Sequence, residues 1–171
     1  MAFIVAQICG AIVLVLTATS AQFDTKEKML TTQIFANLIV AIQYFLLNAI
    51  TGGVVAIINM IRCIIFLYYK KKDKNPSIIV LSIIIIITTI MGIKTWQNGF
   101  SIIPIIAASI FTFGLWQDNV KVTRISTVVA AGSWVVYNFV VTAYVGAIQS
   151  IAECSSAIIA TIRYSKKESK I

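Results

Sequence analysis

Residues 77–95 of the chain read SIIVLSIIIIITTIMGIKT, and Lys94 is the only charged side chain among them. As a helix, a run of this length crosses the hydrocarbon core of a bilayer, which is about 30 Å thick. Five successive isoleucines, residues 83–87, would favour a strand in water. In lipid, however, only a helix or a closed barrel satisfies its own backbone, and this run lacks the alternation of a barrel strand. The run therefore predicts a membrane-spanning helix.

The rest of the chain has the same character. Of its 171 residues, 59% are hydrophobic and 12% are charged, and the mean hydropathy is +0.94. A water-soluble core of this size could not hide so much apolar surface. Polar residues divide the chain into six further apolar stretches: 2–21, 31–49, 51–69, 100–116, 125–143 and 145–164. We predict an all-α integral membrane protein, a single membrane domain over residues 1–171 with seven transmembrane helices. In an alternative arrangement, residues 100–116 enter and leave the membrane on one side.

Short connections join the predicted helices. Residues 49–53 and 144–146 are expected to be tight hairpins, and both contain glycine, which accepts the backbone conformations of turns. Residues 70–76 and 117–124 are expected to be polar turns.

Basic residues are concentrated in alternate connections and in the C-terminal tail. With seven spans, twelve of the fourteen lie on one side of the membrane: Lys26, Lys28, Lys70, Lys71, Lys72, Lys74, Lys121, Arg124, Arg163, Lys166, Lys167 and Lys170. Because loops rich in Lys and Arg stay in the cytoplasm, the N-terminus is expected outside and the C-terminus in the cytoplasm.

A shift of 94 positions aligns residues 2–69 with residues 100–164 without a gap. The matched pairs include Asp24 and Asp118, Ala49 and Ala143, Gly52 and Gly146, Ile57 and Ile151, Ile64 and Ile158, Ile65 and Ile159, and Asn59 and Glu153. Both triplets start on the same side of the membrane, so the repeats are parallel. We predict two parallel three-helix bundles joined by a linker helix at residues 77–95, a 3+1+3 arrangement.

This plan resembles the SWEET and PQ-loop transporters, in which two three-helix bundles flank a linker helix and the substrate path runs between them. Those families carry a proline in the first helix of each bundle. This chain has Pro104 in the fifth span but Gly10 at the equivalent position of the first, and it has no Pro-Gln pair. The resemblance implies a path between the bundles, without a proline hinge in the first of them.

A set of short motifs resembles the bacterial inner-membrane proteins of the YgjV type. The motifs are Ala6-Gln7 with Gly10, Phe23-Asp24 with Lys26-Glu27-Lys28, Tyr44-Phe45-Leu46-Leu47, Gly53 with Asn59 and Ile61-Arg62, and Trp134-Val135-Val136-Tyr137-Asn138-Phe139 with Gly146, Glu153 and Ile162-Arg163. They extend over nearly the whole chain. The resemblance implies a multi-pass protein of the bacterial inner membrane.

Ionisable side chains within the predicted spans are the first candidates for a site. Glu153, near the middle of the seventh span, is the only carboxylate there, and a buried charge is expensive unless it is paired or protonated. Its candidate partner is Arg62 in the third span. Glu153 is therefore interpreted as part of a substrate- or proton-linked site. The alternatives are half of a structural ion pair, or a protonated side chain that bonds to Ser and Asn neighbours.

Polar and aromatic residues on shared helix faces are the next candidates. Asn59 lies three residues before Arg62, and Trp134 lies four residues before Asn138, so each pair shares a face. These faces are expected to meet at a central cavity that binds substrate, with the alternative that the asparagines only bridge helices. The same argument applies more weakly to three residues of the second span: Asn37, Gln43 and Tyr44.

The sequence argues against an enzyme. It has no histidine, no pair of carboxylates within the spans and no metal-ligand spacing around Cys9, Cys63 and Cys154, so no cofactor is expected. The net charge of +8 is interpreted through membrane topology, and no nucleic acid partner is expected. Two functions remain: a small-solute transporter with a central polar site, or a non-transporting scaffold or accessory subunit. The expected partners are the lipid bilayer and a small solute, and assembly with further copies of the chain stays open.

Overall fold

The computed structural model describes residues 1–20, 26–116 and 120–168, and within them it contains seven α-helices and no strand. The helices are α1 (Ala2–Ser20), α2 (Lys26–Leu46), α3 (Ile50–Lys71), α4 (Ile78–Lys94), α5 (Ile102–Trp116), α6 (Val120–Val140) and α7 (Tyr144–Glu168). A short 3-10 helix, Gly99–Ser101, precedes α5. The predicted all-α fold is confirmed. Phe23, Asp24, Asp118 and Lys170, which entered the sequence argument, lie outside the described residues.

Three of the described helical segments are long and apolar enough to cross a membrane: Glu27–Leu46, Ile50–Lys71 and Gly99–Trp116. Shorter apolar helices cover Ala2–Thr17, Ile78–Lys94 and Ile125–Val140. Large apolar side chains cover the outer surface, for example Ile79 and Ile86 on α4, which are 66% and 55% exposed. Such a surface fits hydrocarbon as its solvent.

Six helices pack around the centre, and the fourth lies outside them. α2 packs between α1 and α3, and α6 packs between α5 and α7. The contacts that join these groups include those of α1 with α7 and of α3 with α5. α4 packs on α3 and α5 through one narrow stripe of buried residues: Leu81, Ile84, Thr88 and Gly92.

The turns that precede α3 and α7 have the same backbone structure. Asn48 (φ 55°) and Thr142 (φ 59°) adopt the left-handed conformation. The Ala49 N–H donates to Tyr44 O at 2.9 Å, and the Ala143 N–H donates to Asn138 O at 2.8 Å. In addition, the N–H of each left-handed residue donates to the carbonyl three positions before it. Together these bonds form the Schellman motif, which satisfies the last carbonyls of a helix.

The expectation that glycines form these turns is therefore wrong. The turns occupy residues 47–49 and 141–143, whereas Gly52 and Gly146 lie inside the first turns of α3 and α7. Their role is close packing, because a Cβ on Gly52 would lie 2.7 Å from Tyr137 Oη. The left-handed conformation of a residue other than glycine costs about 1–2 kcal/mol, which the hydrogen bonds of the turn offset.

Two glutamines hold these turns from the opposite group of helices. Gln7 of α1 donates from Nε2 to Thr142 O (2.9 Å) and accepts at Oε1 from the Val145 N–H (3.2 Å). Gln97, just before α5, donates to Asn48 O and accepts from the Ile50 N–H, both at 2.7 Å. Each glutamine thus satisfies backbone groups at helix ends that have no partner within their own helix. We call these two residues the crossed glutamines.

The predicted polar turn at residues 117–124 is shorter than expected, because α6 already begins at Val120. Likewise, α2 begins at Lys26, five residues before the predicted apolar stretch. In both cases a polar segment extends an apolar helix beyond the stretch that hydropathy marks.

Candidate functional site

A cavity of about 130 Å³ lies among the six central helices. A single water needs about 10–15 Å³ by the same measure, so the cavity has room for several waters or a small solute. All five residues that the sequence predicted as a site line this cavity: Glu153, Asn59, Arg62, Asn138 and Trp134. Asn37, Gln43 and Tyr44 line it as well. None of its lining residues belongs to α4.

The two middle helices present matching faces to the cavity. α2 contributes Gln33, Ala36, Asn37, Val40, Gln43 and Tyr44, and α6 contributes Thr127, Ala130, Ala131, Trp134 and Asn138. Spacings of three, four, seven and eleven residues place each set on one side of its helix. Five positions of the two sets differ by 94 in residue number, as 33 differs from 127 and 44 from 138.

An aromatic cluster, which consists of Tyr44, Trp134 and Tyr137, closes the cavity at the end near the turns. The rings of Tyr44 and Trp134 stack with centroids 5.9 Å apart and an interplanar angle of 13°. Tyr137 packs edge-on against both, at 5.5 Å from Tyr44 and 5.8 Å from Trp134. Its hydroxyl also accepts a hydrogen bond from the Gly52 N–H at 3.0 Å. Three helices are therefore joined at this end.

The residues that line the cavity differ in exposure. Tyr44, Asn138 and Ser150 are buried near the turns, and Arg62 is buried farther from them, whereas Gln33 is partly exposed and Glu153 is exposed.

Asn138 uses both ends of its side-chain amide to bridge helices. Its Oδ1 accepts from the Tyr44 hydroxyl at 2.8 Å, and its Nδ2 donates to Ser150 Oγ at 3.1 Å. Asn59, on the opposite wall, is 7% exposed, and its side chain makes no hydrogen bond to the described part of the chain. Asn59, unlike Asn138, therefore keeps its whole side-chain amide for a bound molecule.

Among the charged residues whose burial the structure describes, Arg62 is the most deeply buried, with 2% of its surface exposed. Its Nη1 donates to Thr112 Oγ1 at 2.9 Å, and its guanidinium carbon lies 5.1 Å from the centre of the Phe111 ring. Its Nε is buried without a partner among the described residues. An arginine carries five N–H donors, so this guanidinium retains capacity to bind an acceptor in the cavity.

Glu153 lies on the cavity wall formed by α7 and makes no ion pair with Arg62. Within the described residues, the one ion pair shorter than 4.0 Å joins Lys70 and Asp73 at the surface. The interpretation of Glu153 and Arg62 as a direct structural pair is therefore wrong. The physical reason is that Arg62 turns towards Thr112 and Phe111 of α5 instead.

Several contributors to the cavity were not found in the sequence. Thr112 and Phe111 hold Arg62, and Ser150 holds Asn138, from positions without a distinctive local pattern. Ser150 lies three residues before Glu153, and this spacing alone places the two side chains on one face of a helix. The crossed glutamines lie near the ends of predicted spans, where a polar residue is ordinary.

Comparison with known families identifies the chain. The family model Imp-YgjV, described as bacterial inner membrane protein, matches residues 4–168. Comparisons with curated proteins and with solved structures gave no match. The match covers nearly the whole chain, and it agrees with apolar helices that contact lipid. The chain belongs to the YgjV family of bacterial inner membrane proteins.

Proposed function

We propose that this protein moves a small solute across the bacterial inner membrane and that the central cavity is its binding site. The observation that carries the proposal is the unpaired polar chemistry of the cavity. Arg62 Nε and Gln43 Nε2 are both buried without a hydrogen-bond partner in the described part of the chain. An unsatisfied buried polar group costs about 1–3 kcal/mol, so a protein keeps such groups where a ligand completes them.

The arrangement of the cavity supports movement between two groups of helices. α1, α2 and α3 form one proposed bundle, α5, α6 and α7 form the other, and α4 is the proposed linker. The recurrence of lining positions at a spacing of 94, together with the identical turns before α3 and α7, supports parallel repeats. Rocking of two such bundles about a central site is an established way to expose the site alternately on each side.

A scaffold or accessory subunit is the second candidate, and the bonds of Asn138 favour it. This side chain joins α2, α6 and α7 through its Oδ1 and Nδ2 atoms. If every polar group of the cavity only bridged helices, the protein would be a rigid bundle. The two candidates differ in whether water reaches the cavity from both sides of the membrane.

Cysteine labelling separates the two candidates. Gln149 lines the cavity with partial exposure, and its neighbour Ile148 is 58% exposed on the outer, apolar surface. In a chain whose three native cysteines are replaced by alanine, we would introduce either Gln149→Cys or Ile148→Cys. A membrane-impermeant, charged thiol reagent is then applied to intact spheroplasts and to inside-out vesicles.

For a transporter, Gln149→Cys is labelled in both preparations, because the site faces each side in turn. The control Ile148→Cys is labelled in neither, since a thiol in hydrocarbon does not ionise. Labelling of Gln149→Cys from one side only, or from neither, contradicts transport and leaves the scaffold.

A further inference from the structure

We infer that the solute is a zwitterion, a small molecule that carries one carboxylate and one ammonium group. This inference rests on the proposed function of the cavity and concerns what the cavity selects. Its basis is the pair of opposite charges, Arg62 and Glu153, that line one cavity without contacting each other.

Arg62 supplies the site for the carboxylate. Its guanidinium is fixed on one side by Thr112 Oγ1 at 2.9 Å and lies over the Phe111 ring at 5.1 Å. The buried Nε remains without a partner among the described residues. A guanidinium held in this way presents parallel N–H groups that match the two oxygens of a carboxylate.

Glu153 supplies the site for the ammonium group. Arg62 lies twelve residues into α3 and Glu153 nine residues into α7, and both helices start from adjacent turns. With a rise of 1.5 Å per residue, the two charges lie at depths of about 18 Å and about 14 Å from those turns. They therefore face the cavity within about one helical turn of each other in depth, on different helices, with space between them.

Other classes of solute fit this pair of charges less well. A sugar would leave both charges without a counter-charge, and an anion would leave the Glu153 carboxylate unpaired. A zwitterion neutralises both at once. The amides of Gln43 and Asn59, which have no side-chain hydrogen bond within the described residues, then remain for its other polar atoms. The ring of Trp134, which lines the cavity and is partly exposed, remains for an apolar part.

Protection of Gln149→Cys from the thiol reagent tests the inference. The probes are L-alanine and L-leucine, together with the methyl ester, the N-acetyl derivative and the N-acetyl methyl ester of each. These derivatives are a cation, an anion and a neutral molecule of nearly the same shape. We expect at least one free amino acid to slow labelling by threefold or more at millimolar concentration, and its three derivatives to have at least tenfold weaker effects.

The variant Glu153→Gln tests the assignment of the ammonium site. Because Glu153 is exposed to the cavity and unpaired with Arg62, the protein is expected to fold with its amide in place. In Gln149→Cys with Glu153→Gln, the N-acetyl derivative should protect as well as the free amino acid or better. Arg62→Lys should weaken protection by the free amino acid at least tenfold while the protein still elutes as a single species in detergent. If Glu153 had only a structural role, Glu153→Gln would not change the order in which the probes protect Gln149→Cys.

The results distinguish this inference from the proposal on which it rests. If Gln149→Cys is labelled from both sides but neither free amino acid protects better than its derivatives, the zwitterion is wrong and the solute cavity stands. If Gln149→Cys is not labelled at all, both fail together. An unchanged order of probes in Glu153→Gln also overturns the inference.

Discussion

At the scale of single residues, the cavity contains two buried asparagines that use their amides differently. Asn138 is hydrogen-bonded at both ends, to the Tyr44 hydroxyl and to Ser150, whereas Asn59 makes no side-chain hydrogen bond within the described residues. Both are less than a tenth exposed. The first therefore stabilises the fold and the second is available to a ligand.

The difference predicts unequal effects on stability. Asn138→Ala removes two hydrogen bonds and leaves two buried hydroxyls without this partner, so the free energy of unfolding should fall by about 1–2 kcal/mol. Asn59→Ala is the matched control and should change it by less than about 0.5 kcal/mol. Thermal unfolding of both variants in detergent measures the difference, and equal losses would contradict the assignment.

The sequence located these residues but not their contacts. A spacing of three or four residues was enough to place Asn59 with Arg62 and Trp134 with Asn138, because helix geometry fixes which side chains share a face. The partners of Arg62 lie 49 and 50 positions away on α5. No periodicity relates such distant positions, so the sequence left open whether Arg62 pairs directly with Glu153.

At the scale of elements, Gly52 and Gly146 serve helix packing rather than turns. Gly52 lies where α3 approaches α6, and a Cβ there would come within 2.7 Å of Tyr137 Cε1 and Oη. By contrast, a Cβ on Gly132 of α6 would have no neighbouring atom within 4 Å. Neither hydropathy nor the turn preference of glycine distinguishes Gly52 from Gly132, because the role of each glycine depends on which helices meet beside it.

We expect Gly52→Ala to lower the free energy of unfolding by about 1–3 kcal/mol, since an aromatic ring of the closed end must move to admit the methyl group. The bond from the Gly52 N–H to the Tyr137 hydroxyl would be strained as well. Gly132→Ala should be neutral or raise the free energy of unfolding by up to about 1 kcal/mol, through helix propensity. Unfolding in detergent again provides the measurement, and a tolerated Gly52→Ala would show that the close approach is absent.

At the scale of the whole molecule, the predicted seven helices are present within the described residues, and the apolar stretches gave their order and approximate positions. The predicted orientation in the membrane rests on the distribution of basic residues alone. Lys70, Lys71, Lys72 and Lys74 follow α3 at the end away from the turns. We therefore expect this end of the molecule to lie in the cytoplasm.

The orientation can be tested with fusions. A fluorescent protein that matures only in the cytoplasm should fluoresce when fused after Ile171, because most basic residues then lie on that side. Neutral replacement of the four lysines at residues 70–74 should reduce the fluorescent fraction without abolishing it, since eight other basic residues remain on the same side. A dark C-terminal fusion that becomes enzymatically active as an exported phosphatase would contradict the seven-span topology.

The crossed glutamines also impose an order on biosynthesis. Chains enter the membrane from the N-terminus, so Gln97 reaches the turn at residues 47–49 only after α1 to α4 have been inserted. Gln7 forms its bonds later still, because both hydrogen bonds of its side chain are to residues 142 and 145. In a nascent chain that stops before residue 141, α1 can already pack on α2, but the Gln7 side chain has none of its final partners. The last turn must therefore be synthesised before the first helix can complete its hydrogen bonds.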